Sequence, residues 1–171
     1  MKQLHKTRST ITINQHKRTV TKRYKNLETA RTEIAWYQTL DYGHPQLLDA
    51  DPDAGIMITR YHTPCTELPN YRPIRGLIRL LKQLQTDGIH HRDVHIENIV
   101  QTPQGPLLID WETGIHQPGH RSYDLYGPDE SGVPAPDIHL RWPHYRMWLG
   151  SDHRKSVKTV WNLDELPALV G

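Results

Sequence analysis

Cysteine is almost absent from this chain of 171 residues. Cys65 stands alone, so no internal disulfide can form and nothing points to secretion. Long apolar runs are missing as well. No stretch approaches the length of a membrane span, and the start of the chain, with Lys2, His5, Lys6 and Arg8, lacks the apolar centre of a signal peptide. The expectation is a cytoplasmic protein with no membrane span. Glycine does not occur before Gly43, which excludes from that stretch any glycine-rich turn that would bring backbone N–H groups onto a phosphate. There are 12 His but no H-E-x-x-H and no Cys cluster, so a histidine metal site built on His91 and His95 at i,i+4 spacing has little support.

Net charge is near zero, yet the charge is unevenly spread. Nine of the 21 Lys and Arg lie in residues 1–31 against the single acid Glu28, while the rest of the chain is acidic on balance. A basic front end suits either nucleic acid or a solvated hairpin that faces nucleotide phosphates. Tyr24 is the single Phe, Tyr or Trp there, which makes no base-stacking platform and argues against a nucleic-acid partner and for the hairpin.

The order of elements follows from periodicity. Thr10–Ile13 and Arg18–Tyr24 alternate polar and apolar residues around Asn14–Lys17, which predicts an antiparallel hairpin. Leu27, Ala30, Ile34, Tyr37 and Leu40 recur at three- and four-residue spacing and predict a helix, stopped by Tyr42-Gly43-His44-Pro45. Leu47-Leu48 and Gly55–Thr59 read as strands around Asp51-Pro52-Asp53, and Pro64 to Pro73 reads as a loop. A second helix is expected from about Pro73 to Thr86, with Ile74, Leu77, Ile78, Leu81 and Leu84 on one face and Asp87-Gly88 at its end. Ile99-Val100 and Leu107–Ile109 predict a second hairpin. Beyond Gly114 the chain is rich in Pro, Gly and His, with Tyr145–Leu149 and Leu163–Leu169 as candidate short helices.

Between the second helix and the second hairpin lies His91-Arg92-Asp93-Val94-His95-Ile96-Glu97-Asn98, and after the hairpin comes Ile109-Asp110-Trp111-Glu112. An acid, an amide and a second acid in this order suit phosphoryl transfer, which needs oxygen ligands for magnesium and a group to orient the attacking hydroxyl. The first segment matches the pattern H-R-D-L-x-x-x-N at the residues that do chemistry. The second keeps a metal-binding Asp and reads I-D-W-E.

These segments resemble the catalytic part of the protein-kinase-like superfamily. Arg92 matches protein kinases, while His95 and I-D-W-E are similar to the aminoglycoside and choline phosphotransferase branch. Ser122–Gly127 also resembles the Asp-Leu segment that follows I-D-W-E there. The resemblance spans about residues 10–127 and is specific over 89–114. It implies a reduced two-lobed α+β fold: an N-lobe over 1–61 with a small antiparallel sheet and one helix, and a C-lobe over 62–171 with a shortened helical part. Thr59–His62 stands where the hinge between the lobes would lie.

The resemblance further implies ATP and magnesium as cofactors. Asp93 becomes the base or orienting group, and His95 sits beside the transferred phosphate. Asn98 and Asp110 become the magnesium ligands. Lys22 is placed on the nucleotide phosphates, held by Glu33, with Val20 covering the base; Lys25 and Glu28 form the alternative pair.

Three departures limit the likeness. With so few residues before Thr10, the strand and glycine-rich loop that cover the phosphates are expected to be missing, leaving Asn14–Arg18 with Lys17 or Arg18, or a partner chain, as the lid. The stretch from Asp110 to Asp124 is short for an activation loop, so control by loop phosphorylation is not expected despite Arg92. The acceptor is unconstrained: a protein Ser or Thr, or a small molecule. The alternative is a pseudokinase that binds nucleotide or a partner without turnover.

Overall fold

The computed structural model describes residues 2–5, 9–65 and 72–137. The chain divides into two compact units, Met1–Thr63 and Pro64–Gly171. Helices and small antiparallel sheets make the described fold α+β.

Unit 1 is built on a five-stranded sheet: β1 (Lys2–His5), β2 (Ser9–Asn14), β3 (Thr19–Tyr24), β4 (Leu47–Asp51) and β5 (Ile56–Arg60), in the spatial order β1-β2-β3-β5-β4. All its pairings are antiparallel, and β3 lies between β2 and β5, with Lys22 opposite Ile11 on one side and Met57 on the other. Alternation along β3 buries Lys22 and Tyr24 and exposes Arg23 between them, the period-two geometry of a strand.

The strand β1 corrects the expectation that no strand precedes the first hairpin. Lys2-Gln3-Leu4-His5 has one apolar residue and no readable alternation. It is strand because β2 offers a free edge, to which Lys2–His5 pair in register with Ile13–Thr10. Residues 6–8, which join the two, lie outside the described residues.

Helix α1 (Leu27–Thr39) begins at Asn26, whose side-chain oxygen accepts from Glu28 N at 2.8 Å and Thr29 N at 3.1 Å. It buries Ala30, Glu33, Ile34 and Tyr37, one stripe at helical spacing, while Leu27 at its start stays exposed. Past its end, His44 reaches back with Nε2 to Leu40 O and with Nδ1 to Pro45 O, both at 2.8 Å, covering a carbonyl the helix leaves open.

A two-residue strand, β6 (Thr63–Pro64), stands where the chain passes from one unit to the next. Of the expected loop over Pro64–Pro73, residues 66–71 lie outside the described residues, and helix α2 (Arg72–Thr86) starts before Pro73, which sits in its first turn. Leu77, Ile78, Leu81 and Leu84 of α2 are buried. Truncating one such Leu to Ala costs about 2–5 kcal/mol in a core of this kind. Like them, Ile99 and Leu108 of the hairpin β8 (Ile99–Thr102) and β9 (Gly105–Leu108) are buried, and α2 packs against β9 in the core of unit 2. Gly76 lets α2 lie flush on β9: an added Cβ would stand 2.6 Å from Pro106 Cδ.

After α2 the chain turns through Gly88 (φ +71°), a conformation suited to glycine at a helix end. It then enters β7 (Ile89–His90), which pairs antiparallel with β10 (Ile115–His116). Neither short strand nor helix α3 (Tyr123–Ser131) was readable from periodicity. Gly127 and Pro128 interrupt α3, and Gly127 has non-helical φ and ψ, so the helical spacing never runs long enough to register. The candidate helices Tyr145–Leu149 and Leu163–Leu169 lie outside the described residues. No helix among the described residues is long and apolar enough to cross a membrane.

Candidate functional site

In unit 1 the chemistry gathers on Glu33. Lys22 Nζ donates to Glu33 Oε2 at 2.6 Å, and the Tyr24 hydroxyl donates to the same oxygen at 2.8 Å. Lys22 also lies over the Tyr24 ring, 4.8 Å from its centroid. Both charges are almost wholly buried, with 8% and 1% of the Lys22 and Glu33 side chains exposed, so each needs the other to offset its lost hydration. Burial and the Glu33 charge push the Tyr24 phenol above its ordinary range, which keeps it a donor.

Lys25 and Glu28 are exposed and form no ion pair among the described residues. Val20 is half-buried, two residues along β3 from Lys22 on the same face. Tyr24 escaped the sequence reading, although its period-two spacing from Lys22 was the available signal. At Asn14–Arg18 the turn is closed by Lys17 N on Asn14 Oδ1 at 3.0 Å and by Arg18 N on Gln15 O at 3.2 Å. Arg18 adopts φ +52°, and residues 15–18 are exposed.

In unit 2 the loop 91–98 is held almost entirely by side chain–backbone bonds. Asp124, at the start of α3, accepts His91 N on one carboxylate oxygen at 2.8 Å and Arg92 N on the other at 2.7 Å. Arg92 itself takes φ +66°, a conformation that costs a non-glycine residue about 1–3 kcal/mol and persists only under such constraint. Its guanidinium donates through Nε to Thr113 O and through Nη1 to Pro134 O, both at 2.8 Å. Thr113 returns a bond from Oγ1 to His91 O at 2.8 Å.

His91 is fully buried, with Nε2 3.0 Å from Ile109 O and Nδ1 3.3 Å from Asp93 N. One nitrogen faces an acceptor and the other a donor, an arrangement that fits the neutral ring with its proton on Nε2. Burial agrees, pushing its pKa down to about 4. Trp111 packs edge-on against this ring, centroids 4.6 Å apart. Burial pushes the Asp124 carboxyl up to about 7, against the pull of the two backbone N–H groups and Arg92. The same burial lowers the Arg92 pKa from its ordinary value.

These supports present three groups. Asn98 donates through Nδ2 to Asp93 O at 3.0 Å and to Asp93 Oδ2 at 3.1 Å, fixing that carboxylate against its own loop. His95 Nε2 lies 3.6 Å from Asp93 Oδ2, and His95 Nδ1 is buried without a hydrogen-bond partner. Asp110 lies two residues past the end of β9, in the left-handed conformation (φ +67°, ψ +57°). Ile109 N donates to Asn98 O at 2.9 Å, tying the residue before Asp110 to the residue that closes the loop.

Asn98 Oδ1, like His95 Nδ1, is left over in this network. It is buried, accepts no hydrogen bond, and belongs to a side chain whose amide nitrogen is already used twice. Such an amide oxygen suits a hard cation with oxygen ligands, and Asp110, next to the Ile109 whose N bonds Asn98 O, would add a carboxylate to an all-oxygen set of the kind magnesium takes.

Asp93, His95, Asn98 and Asp110 thus belong to one network in unit 2, and Lys22 and Glu33 to another in unit 1. Asp124 and Thr113 had no assigned part in the sequence reading, and His91 figured there only in the motif and in the histidine-metal alternative. Asp124 stood in a segment whose resemblance had been noticed, and nothing in spacing alone connects it to a loop 32 residues earlier. The histidine-metal alternative is set aside, because the loop is not helical between His91 and His95 and the His91 nitrogens are taken by Ile109 O and Asp93 N. Comparison with protein-family models gives no match for this chain, nor does comparison with curated protein sequences.

Proposed function

We propose that this chain is a phosphotransferase of the protein-kinase-like kind. It moves the γ-phosphate of ATP, with magnesium, onto a hydroxyl of a protein Ser or Thr or of a small molecule. The observation that carries this reading is the Asp93–Asn98 pair, with a fixed carboxylate and an unpartnered buried amide oxygen, on a residue whose carbonyl bonds Ile109 N just before Asp110. Unit 1 supports it independently. Its small antiparallel sheet with one helix and its buried Lys22–Glu33 pair agree with what the resemblance implies for a nucleotide-binding lobe.

In the reaction the acceptor oxygen attacks the γ-phosphorus, forming one P–O bond as the bond to the β–γ bridging oxygen breaks. ADP leaves with that electron pair. Asp93 orients the acceptor hydroxyl and takes its proton, a contribution of about 10²–10⁴ in rate. Asn98 keeps the carboxylate aimed, and Lys22, itself held by Glu33, steadies the nucleotide phosphates. Asn98 Oδ1 and Asp110 would hold magnesium, which neutralises phosphate charge. His95 offers its buried Nδ1 as a further partner for a phosphate oxygen.

A second reading, a nucleotide-binding module without turnover, is favoured by the absence of glycine before Gly43. The two separate on incubation of purified protein with Mg–ATP and a panel of protein and small-molecule hydroxyls. The phosphotransferase reading expects label on the protein itself or on one acceptor. Nucleotide binding with neither hydrolysis nor transfer establishes the second reading instead.

A further inference from the structure

We infer that Arg92 is a positioning residue that fastens the Asp110 segment to the catalytic loop permanently, so that the site needs no activating modification. This rests on the phosphotransferase reading for its consequence, but its geometry stands apart from it.

The guanidinium is half-buried, and no carboxylate lies within ion-pair distance among the described residues. Two of its three nitrogens are aimed instead at backbone carbonyls, Thr113 O and Pro134 O, which lie 21 and 42 residues along the chain. A planar fork can hold two such acceptors at fixed directions, which a flexible ammonium cannot.

The bond to Thr113 is one of several across the same short segment. At its start Ile109 N bonds Asn98 O; in its middle Thr113 Oγ1 bonds His91 O; at its end Ile115 and His116 pair with His90 and Ile89. Asp110, in its costly left-handed conformation, therefore sits in a stretch pinned at both ends and in the middle. A segment so tied has no second arrangement for an added phosphate to select. The directions in which Arg92 would meet an anion through Nε and Nη1 are already taken by the fold.

The test uses the full chain in three arms. Wild type as purified and after phosphatase treatment is expected to turn over at the same rate; a loss of about fivefold or more on treatment overturns the inference. Arg92→Ala and Arg92→Lys are expected to raise the magnesium concentration for half-maximal rate about tenfold, as loss of a supporting partner does. The KM for ATP should stay within about threefold. An unchanged magnesium requirement in both variants, or full rescue by Lys, overturns it.

Amide exchange gives a readout that does not need activity. Residues 109–116 are expected to exchange faster in Arg92→Ala while the buried turns of α2 do not, and equal protection in both proteins overturns the inference. If Arg92→Ala fails to fold, Arg92→Lys, which keeps the charge but removes the fork that reaches Thr113 O and Pro134 O, is read the same way with a smaller effect. Wild type that neither transfers phosphate nor binds Mg–ATP defeats the phosphotransferase reading alone, and exchange then decides the role of Arg92.

Discussion

The two units hold their charged side chains by opposite means. In unit 1 Lys22 sits on a strand and Glu33 on a helix, and a direct bond between side chains keeps them in place. In unit 2 Asp93, Asn98 and Asp110 sit on bends, and what keeps them there is a mesh of bonds from side chains to backbone, with Arg92 and Asp110 both at positive φ. A regular element sets direction by its own geometry and needs one partner for charge. A bend has no such geometry, so each of its turns has to be tied separately. Unit 1 is therefore vulnerable at one pair, and unit 2 at many small points.

The largest expected effect breaks the first kind of support. Glu33→Ala removes the buried carboxylate oxygen that both the Lys22 ammonium and the Tyr24 hydroxyl bond. It should lower the stability of unit 1 by about 3–5 kcal/mol, read from amide exchange of β3 and α1 under increasing denaturant. If the loss is below about 1 kcal/mol, the pair is not the support its burial indicates.

Asp124→Asn probes the second kind, with a smaller effect of about 1–3 kcal/mol, since one of two buried N–H groups then faces a donor. It also changes the dependence on pH. Asp124 is held at about 7, above its ordinary 3.8, so its proton binds more tightly in the folded chain. Its share of stability is fully present below about 3.8 and is lost as pH rises through about 7. His91 is held at about 4, below its ordinary 6.5, so its share is full above about 6.5 and is lost as pH falls toward about 4. His90, also lowered by burial, acts in the same sense as His91.

The acid and the two histidines therefore oppose each other between about 4 and 6.5. Removing the titrating carboxyl should make unit 2 of the variant gain stability, relative to wild type, as pH rises across that window. Parallel curves for the two proteins would show that Asp124 does not titrate there.

The smallest change sharpens the contrast rather than breaking it. Asn26→Ala removes the cap of α1 and should cost about 1 kcal/mol, with exchange rising in the first turn of α1 and no change in the loop 91–98. A comparable rise in that loop would show that the two networks do not stand independently.

The same contrast explains what the sequence disclosed. Strand alternation and helix spacing made legible the elements that carry Lys22 and Glu33, and the buried face of Leu77, Leu81 and Leu84 on α2, while the pair itself was legible only through the resemblance. Asp93, Asn98 and Asp110 were legible only through the motif, since no periodicity describes a bend. Their supports were not legible at all. Asp124 meets His91 and Arg92 by tertiary folding, and the carbonyls of Thr113 and Pro134 are backbone groups that carry no mark in sequence. β1 was hidden for a related reason, since its strand character comes from the edge it pairs with rather than from its own residues.

The most direct measurement is the rate of γ-phosphate transfer from Mg–ATP by wild type and by Asp93→Asn, with nucleotide binding followed in parallel. The expected result is transfer by wild type and a loss of at least about a hundredfold in the variant, with Mg–ATP affinity within about threefold. Equal rates in the two proteins, or no transfer by a wild type that binds Mg–ATP, would contradict the assignment of phosphoryl transfer to the loop 91–98.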